Sequence, residues 1–412
     1  MRELGVWRSW LAHLVWDQRV LCSSHSTPTF KQRSSLIFSV GSFLIYPLVP
    51  KVIIISPRMP QIRPTLASVG HKIRISTSFL VPCDTMTIIL DGQKSIVMKI
   101  SGTGSALPKK IVTNEMLSQF IETSDEWIRT RTGIVERHVI SDERLEDLAV
   151  EAAEAAMRDA GIAAGNIDFI ICSNVVNEFI TPQLSCIIQG GIGASCPCMD
   201  INCACAGFIH ALEIAESFYK AGRVQNVLIV CAEEPTRMAD WSDRRTCVLF
   251  GDGAGAVVLT PGDKIRSIKL SASSSTDKLW QLRTLLPTPY INKEEKNVPL
   301  MMKGRDVYKF AVNSAIKDIC RALDETGMSK DDVDHYLLHQ ANLRIIDAIQ
   351  KYMEQPKEKF PTNIENNGNS SSASCPILLD ECNRKGVFKK GDIIAMSAFG
   401  AGFVSGAVIF EW

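Results

Sequence analysis

The sequence predicts an α/β protein with a largely parallel sheet, built from two related halves. From residue 98 onward, short apolar segments with strand character alternate with amphipathic helical patterns, as in βαβ units. The same alternation returns in the second half of the chain. With 46% hydrophobic and 22% charged residues among 412, the composition excludes a disordered, collagen-like or coiled-coil protein.

The predicted elements alternate in both halves. In the first half, strands are predicted at 98–102, 167–173 and 226–231, and helices at 145–160 and 207–221. In the second half, helices are predicted at 307–326 and 372–385, and strands at 335–339 and 392–398. We therefore predict a first half at 98–265 and a second half at 266–412.

A regular spacing relates the two halves. Gly161 and its apolar neighbours match Gly327 and its neighbours at an offset of 166 residues. The segment FGDGAGAV at 250–257 resembles FGAGFVSGAV at 399–408 at the smaller offset of 149, which predicts extra loop near 232–249. We interpret the repeat as an internal duplication. A pseudo-symmetric body of this kind should carry its active site where equivalent strand ends meet.

Residues 1–97 differ from the rest of the chain. They hold 11 basic and 4 acidic side chains, net +7, which leaves 34 basic and 41 acidic side chains, net −7, for 98–412. They show no sustained helix or strand period and do not read as a folded domain. The open interpretations are a miscalled start before Met98, a transit peptide, a disordered extension, or a membrane segment at 35–56, which Pro47 and Lys51 disfavour. The expected compartment is the cytoplasm, or a plastid or mitochondrion if the segment is a transit peptide.

Charge and cysteine content narrow the function classes further. A net charge of +0 argues against a nucleic-acid binder held by a general basic field. The 13 Cys show no framework of paired spacings, which predicts mostly buried thiols in a reducing compartment. The pairs Cys196/Cys198 and Cys203/Cys205 are spaced too tightly for a usual zinc site. We expect neither a metal nor another cofactor.

Cys205 is the first candidate for chemistry. It lies between the apolar segment 199–201 and a predicted amphipathic helix, hence at a helix N-terminus. There the free N–H groups and the helix dipole stabilise a thiolate, and the backbone amide can donate to an oxyanion. The alternative is one more buried thiol in a Cys-rich chain.

Two more polar residues follow or precede predicted elements. His339 ends a strand at its carboxyl end, where α/β proteins place ligands, although a lone histidine is more often structural. Asn369 lies in a turn ahead of a helix, where its ordinary role is a cap or turn former. Because 205 plus 164 is 369, Cys205 and Asn369 are predicted to occupy equivalent corners and to converge with His339 on one pocket.

The turn Gly400-Ala401-Gly402 adds backbone donors to this set, although a plain tight turn is the alternative. A thiolate, a neutral imidazole, an amide and backbone N–H groups suit acyl transfer through a thioester. The sequence offers no carboxylate pair or phosphate-binding Gly-Lys loop that competes, and FGDGAG is not a dinucleotide fingerprint.

Seven motifs of 98–412 occur together in one known family. They are GTGSALP (102–108), TSDEWIRTRTGIVERH (123–138), CACAGF (203–208), DRRTCVLFGDGAGAVVL (243–259), LLHQANLRII (337–346), NGNSSSAS (367–374) and FGAGF (399–403). With them the region resembles 3-oxoacyl-[acyl-carrier-protein] synthase III, the initiating condensing enzyme of type II fatty acid synthesis. The resemblance covers none of 1–97. It implies the thiolase-like fold, with duplicated βαβαβαββ halves in five αβαβα layers.

The resemblance also implies a role for each candidate. Cys205 would take an acyl group from acyl-CoA, while His339 and Asn369 would bind the thioester carbonyl of malonyl-acyl carrier protein and stabilise the enolate. The backbone N–H groups of Cys205 and Ala401 would form the oxyanion hole. The implied CoA contacts are Trp127, Arg131, Arg244 and Tyr308. The implied carrier-protein contacts are Arg344 and Lys309, and Thr181 would bound the acyl pocket across a homodimer interface.

Three of these positions depart from the family pattern. Ala401 stands where Gly is frequent, Tyr308 replaces a more usual Phe, and Thr181 stands where some members carry a Phe that shortens the acyl pocket. A smaller residue there would admit a longer or branched primer.

Rival functions on the same fold require other residues. A thiolase would need a second cysteine near 399–403, and an elongating enzyme would need a second histidine. A condensing enzyme of secondary metabolism and a non-catalytic acyl-CoA or carrier-protein binder stay open. Neither a nucleic acid nor a membrane is an expected partner of 98–412.

Overall fold

The computed structural model describes residues 98–284, 286, 288–290 and 298–412, together with the backbone of five strand segments before residue 91. The chain divides into two units, Met1–Gln93 and Lys94–Trp412. The strands of the first unit are β1 (Phe38–Val40), β2 (Phe43–Val49), β3 (Val52–Ile55), β4 (Ile73–Ile75) and β5 (Met86–Leu90). They pair antiparallel in the order β1-β2-β3-β5-β4. The rest of residues 1–97 lies outside the described part of the chain. The miscalled start, the transit peptide, the disordered extension and the membrane segment at 35–56 therefore stay predictions.

The second unit contains two large sheets. Its strands are β6 (Met98–Ala106), β7 (Lys110–Thr113), β8 (Glu136–Val139), β9 (Phe169–Ser173), β10 (Cys198–Ile201), β11 (Val227–Glu233), β12 (Gly253–Pro261), β13 (Ile265–Ser275), β14 (Leu279–Trp280), β15 (Met301–Met302), β16 (His335–Leu338), β17 (Ile393–Gly400) and β18 (Gly402–Glu411). The first sheet has the order β10-β9-β11-β12-β6 and the second β13-β18-β17-β16, while β7/β8 and β14/β15 form small antiparallel pairs. The second sheet therefore repeats the order of the first without its edge strand β10.

Nine α-helices are described in the second unit. They are α1 (Asn114–Ser118), α2 (Asp125–Thr132), α3 (Leu145–Ala160), α4 (Leu184–Gly191), α5 (Gly207–Lys220), α6 (Gly304–Thr326), α7 (Leu343–Met353), α8 (Ile364–Asn367) and α9 (Ser374–Arg384). The predicted helix 145–160 has the bounds of α3, and the other predicted helices differ from the observed ones by at most three residues at either end.

The helices and sheets stack in five layers, as the resemblance implied. Helices α3 and α4 cover the outer face of the first sheet, and α6 and α7 cover the outer face of the second. Helices α5 and α9 lie between the two sheets, where side chains from both halves form one apolar cluster. This shared middle layer makes the two halves one body, because neither could bury its inner sheet face alone.

The prediction of largely parallel sheets is wrong. Strands β9, β10 and β11 run parallel, as do β16 and β17, but β12 pairs antiparallel with β11 and β6, and β18 pairs antiparallel with β17 and β13. In each half the chain passes from one strand to the next without an intervening α-helix, at β11–β12 and β17–β18. Such a connection reverses the strand direction, and the strand–helix alternation of the sequence did not reveal it.

A helix lies unusually close to the first sheet. A Cβ atom at Gly104 of β6 would lie 2.3 Å from the carbonyl oxygen of Ala152 in α3. The sequence can bring these backbones together because position 104 has no side chain.

No helix among the described residues is long and apolar enough to cross a bilayer.

Candidate active site

A cavity of about 1520 Å³ opens where strand ends of the two halves meet. Its walls come from the segments that follow β9 and β10 in the first half and β16 and β17 in the second. The cavity therefore lies at the carboxyl ends of parallel strands, as the duplication predicted. Of the predicted site residues, it is lined by Cys205, His339, Asn369, Ala401, Trp127, Arg131, Arg244, Tyr308 and Arg344.

Cys205 lies in a 3-10 turn, Ala204–Ala206, that leads directly into α5. Its sulfur lies 3.4 Å from the hydroxyl oxygen of Ser371. Burial raises the pKa of the thiol to about 12, although the bond to Ser371 acts in the opposite direction. The thiol must therefore lose its proton before it can attack a carbonyl.

The turn before Cys205, which connects a strand to a helix, has a counterpart in the second half. The Asn202 side-chain oxygen accepts the Ala204 N–H at 3.2 Å, and the Asn369 side-chain oxygen accepts the Ser371 N–H at 2.9 Å. Ala204 and Ser371 both have positive φ, +47° and +52°. These pairs are related by an offset of 167 residues, so Asn202 is the counterpart of Asn369.

The predicted equivalence of Cys205 and Asn369 is therefore wrong by three residues. At an offset of 167 the counterpart of Cys205 is Ser372. Helix α9 has 11 residues where α5 has 14, so the offset falls to 164 only beyond these helices. Gly222 and Gly386, which lie just beyond the two helices and both adopt positive φ, are related by this smaller offset. The convergence of Cys205 and Asn369 on one cavity holds for a different reason, which is that their corners face each other.

His339 follows β16 and is buried. Its Nδ1 lies 2.6 Å from the hydroxyl oxygen of Ser374, which also accepts the backbone N–H of Gln340 at 3.3 Å. The hydroxyl proton is thereby directed at Nδ1, which assigns the ring proton to Nε2. Burial lowers the pKa of His339 to about 3. The ring is therefore a neutral hydrogen-bond donor.

Asn369 is held by its own backbone. Its N–H donates to the carbonyl of Leu249 at 2.8 Å, and its carbonyl accepts the N–H of Gly251 at 3.2 Å. Because the side-chain oxygen accepts the Ser371 N–H, the amide offers its Nδ2 donor to a ligand.

The turn between β17 and β18 approaches Cys205 closely. A Cβ atom at Gly400 would lie 2.7 Å from the backbone nitrogen of Cys205. Only glycine permits this approach, and both Cys205 and Ala401 line the cavity.

Aromatic and basic side chains form the mouth of the cavity. The guanidinium carbons of Arg131 and Arg244 lie 4.6 and 4.8 Å from the centre of the Trp127 ring. Arg244 also donates to the carbonyl of Glu122 at 2.6 Å. A stacked aromatic ring needs about 3.5 Å on each face, so the gap between Trp127 and Arg244 is too narrow to hold one in this arrangement.

The structure leaves two predicted residues outside the cavity. Lys309 is exposed on α6 and Thr181 is exposed ahead of α4, and neither lines the cavity. Phe179, Ile180 and Gln183 line it instead. Arg344 is exposed at the rim, at the start of α7.

Sequence reasoning missed the residues that support this centre. Ser371 and Ser374 belong to the motif NGNSSSAS, but the sequence alone does not indicate a role for either. Glu233 is buried and its carboxylate accepts the Ser372 hydroxyl at 2.5 Å. A signal for it existed, since it is the one acidic residue in the otherwise apolar strand VLIVCAE.

Comparisons with known proteins agree with this fold. Two family models match, described as 3-oxoacyl-[acyl-carrier-protein (ACP)] synthase III at residues 199–277 and its C-terminal part at 323–412. The chain is 42% identical over 323 residues to the β-ketoacyl-[acyl-carrier-protein] synthase III of Xanthomonas axonopodis pv. citri, covering 77% of this chain and 99% of that protein.

Solved structures extend the comparison. The 3-oxoacyl-[acyl-carrier-protein] synthase III of Aquifex aeolicus superposes with a TM-score of 0.72 at 39% identity, covering 76% of this chain and 100% of that one. The priming β-ketosynthase of the R1128 polyketide pathway superposes with a TM-score of 0.73 at 32% identity, covering 78% and 98%.

The duplicated five-layer fold, with a cysteine at one strand-to-helix corner facing a neutral histidine, defines a condensing acyltransferase of the thiolase-like class. Within that class, the chain belongs to the β-ketoacyl-[acyl-carrier-protein] synthase III family. It is therefore the initiating condensing enzyme of fatty acid synthesis.

Proposed function

We propose that Cys205 accepts an acyl group from acyl-CoA and holds it as a thioester. The observation that carries this proposal is the position of its sulfur in the cavity, beside the backbone approach of Gly400. In the attack, the backbone N–H groups of Cys205 and Ala401 stabilise the oxyanion of the tetrahedral intermediate. Its collapse breaks the C–S bond to CoA.

Malonyl-acyl carrier protein then enters the same cavity. The Nε2 proton of His339 and the Nδ2 donor of Asn369 hold the thioester oxygen of the malonyl group, on which negative charge develops as CO2 leaves. The resulting enolate attacks the acyl thioester on Cys205, which gives 3-oxoacyl-carrier protein and frees the thiol. Both donors are neutral, so their bonds strengthen as the charge develops. The proposed cycle uses no cofactor and no metal.

The basic and aromatic mouth supports CoA binding. Trp127 and Arg244 would stack the adenine once Arg244 leaves Glu122, Arg131 would meet the phosphates, and Tyr308 would line the entrance. The acidic carrier protein would dock on the exposed cations at the rim, Arg344 on α7 and Lys309 on α6.

Three further features belong to the proposal. We propose a homodimer in which Thr181 of one subunit bounds the acyl pocket of the other. We propose the cytoplasm as its compartment, a proposal that the eleven free thiols in the described part of the chain support. The halves 98–265 and 266–412 are proposed as the two duplicated units, supported by the passage from the first sheet to the second between β12 and β13.

The product on the carrier protein tests this function. The full-length protein is incubated with acetyl-CoA and malonyl-acyl carrier protein, and the intact mass of the carrier is measured. We expect a 3-oxobutanoyl carrier protein with the wild type and none with Cys205→Ala. Product formation at the wild-type rate by Cys205→Ala would overturn the assignment of the nucleophile.

A second candidate is the priming of a polyketide pathway, favoured by the likeness to the R1128 ketosynthase. The reaction and the site would be the same, with a different carrier protein. Competition between fatty-acid and polyketide carrier proteins for one acylated enzyme distinguishes the two.

A further inference from the structure

A fully buried arginine lies beside the turn that carries Asn369. Arg137 belongs to β8 and is 0% exposed. Its two terminal guanidinium nitrogens donate to the carbonyls of Val112 at 3.1 Å and Val248 at 3.0 Å. Its Nε has no hydrogen-bond partner among the described residues. The mechanism proposed above gives this cation no role.

The guanidinium of Arg137 is costly to bury. Burial lowers its pKa to about 10, so the side chain still carries its charge at neutral pH. An apolar side chain of similar size would avoid the loss of hydration, but it could not hold the two carbonyls. Arginine suits this place because its planar fork directs donors at two acceptors, whereas lysine offers a single nitrogen. The segments to which the two carbonyls belong therefore indicate what the arginine does.

The carbonyl of Val248 begins the segment that holds Asn369. The next carbonyl, that of Leu249, accepts the Asn369 N–H at 2.8 Å, and the N–H of Gly251 donates to the Asn369 carbonyl at 3.2 Å. Val248, Leu249 and Asn369 all line the cavity. Both backbone groups of Asn369 are therefore bound by a segment that Arg137 ties to β7 and β8.

The strand of Arg137 also contacts the chain just ahead of Asn369. The N–H of Val135 donates to the carbonyl of Glu365 at 2.8 Å. A Cβ atom at Gly368 would lie 3.1 Å from the Cβ of Arg137 and 3.2 Å from the backbone nitrogen of Gly251. The backbone that leads into the turn is therefore packed directly against the arginine, and a change at position 137 would reach the turn.

We propose that Arg137 is a positioning residue for Asn369, and that its guanidinium keeps the Nδ2 donor of this amide where the enolate oxygen forms. This inference rests on the proposed function, in which Asn369 stabilises the enolate. Arg137 does not line the cavity and touches no reacting atom. It acts by fixing the Val248 carbonyl, and with it the segment that binds Asn369. Its hydrogen bonds go to neither of the turns that surround Cys205, so acylation should not depend on it.

The two half-reactions give the test. Acylation of the full-length protein by acetyl-CoA is followed by intact mass, and decarboxylation by CO2 release from malonyl-acyl carrier protein. Arg137→Met leaves both carbonyls without their donor. It should lower CO2 release by about 10²-fold, the usual effect of a misplaced catalytic group, and leave acylation within a few-fold of wild type. A purely structural role would lower both half-reactions together.

A milder variant and a matched control complete this comparison. Arg137→Lys keeps the charge but not the fork, and it should show the same split at a smaller size. It tests the proposal even if Arg137→Met does not fold. Arg384→Met is the control, because Arg384 also donates to a backbone carbonyl, that of Thr103 at 2.7 Å, and does not line the cavity. Both half-reactions of this control should stay at the wild-type rate.

A double variant shows whether the effect passes through Asn369. If Arg137 acts only by placing this amide, CO2 release by Arg137→Met/Asn369→Ala should equal that of Asn369→Ala alone. A double variant that is much slower than Asn369→Ala would show that Arg137 acts elsewhere, and it would overturn the positioning role.

The remaining outcomes separate the positioning role from the function on which it rests. Equal loss of both half-reactions, or CO2 release at the wild-type rate, in a folded Arg137 variant would overturn the positioning role alone. CO2 release at the wild-type rate by Asn369→Ala would overturn the proposed role of Asn369 and the positioning role with it.

Discussion

At the scale of single residues, the reaction centre consists of neutral groups held by hydrogen bonds. Burial keeps the Cys205 thiol protonated and the His339 ring uncharged. An unpaired buried charge would be costly, whereas neutral donors become effective when charge develops on the substrate. The centre is therefore suited to a substrate that becomes negative during the reaction.

The ring of His339 should act in only one half-reaction. We predict that His339→Ala leaves acylation of Cys205 within a few-fold of wild type and lowers malonyl decarboxylation by about 10²-fold or more, because one donor to the developing enolate is lost. Ser374→Ala should lower decarboxylation in the same direction, since Nδ1 loses the bond that fixes the tautomer. Acylation is measured by intact mass and decarboxylation by CO2 release. Equal loss of both steps would contradict this division of roles.

The depressed pKa of His339 predicts a pH profile. Because the folded value is about 3, against an ordinary 6.5, the ring stays neutral from about pH 5 to pH 8. CO2 release by the acyl-free Cys205→Ala variant should therefore be flat over this range. The unfolded chain binds this proton more readily, so the same group makes the fold less stable as pH falls below about 6.5. A loss of CO2 release with a midpoint near 6.5 would show that the ring titrates normally.

The cations around Trp127 should control CoA affinity. We predict that Arg244→Ala and Arg131→Ala raise KM for acyl-CoA about fivefold each, equivalent to about 1 kcal/mol, with a smaller change in kcat. Arg129→Ala is the matched control, because Arg129 lies on the same helix, pairs with Asp125 and does not line the cavity. A KM unchanged in all three variants would remove this face from the CoA site.

At the scale of elements, the sequence predicted the strongly periodic segments well. Helix α3 has its predicted bounds because its apolar side chains repeat at helical spacing over sixteen residues and Gly161 ends it with a positive φ. The direct connections between strands were missed because they leave no helical period to detect. The equivalence of the corners was misplaced by three residues because α9 is shorter than α5.

Close packing of α3 on β6 gives an element-scale prediction. We predict that Gly104→Val destabilises the second unit by about 3 kcal/mol, since the new side chain would meet the backbone of Ala152. Gly165→Ala is the control, because no atom lies within 4 Å of its added Cβ, and it should change stability by less than about 0.5 kcal/mol. Urea unfolding followed by far-UV circular dichroism measures both. Equal stability of the two variants would contradict the close approach.

At the scale of the whole molecule, the middle layer unites the two halves. Residues of α5 and α9 and of both sheets belong to one apolar cluster. We predict that the amides of the central strands β11 and β17 exchange hydrogen with the same opening free energy, because neither half can open while the other keeps its core. Hydrogen exchange with mass detection tests this. A second half that exchanges much faster than the first would show independent halves.

The sequence reveals site residues at the ends of predicted elements, but not the contacts that only the folded chain creates. Cys205, His339 and Asn369 each follow or precede a predicted element, so the duplication and the motifs were enough to bring them together. Glu233 meets Ser372 across 139 positions of sequence, and only folding shows that a strand end in one half touches a turn in the other. The contact of Arg244 with Trp127 likewise depends on a loop conformation that no periodicity reveals.

The most direct measurement of the central claim is the location of the acyl group. The full-length protein is incubated with acetyl-CoA and with longer and branched acyl-CoAs, and the adduct is mapped by peptide mass. The account predicts one acyl group on Cys205, absent in Cys205→Ala and retained in Cys186→Ala, which removes an exposed thiol. An adduct on another cysteine, or no adduct with any donor from a folded protein, would contradict it.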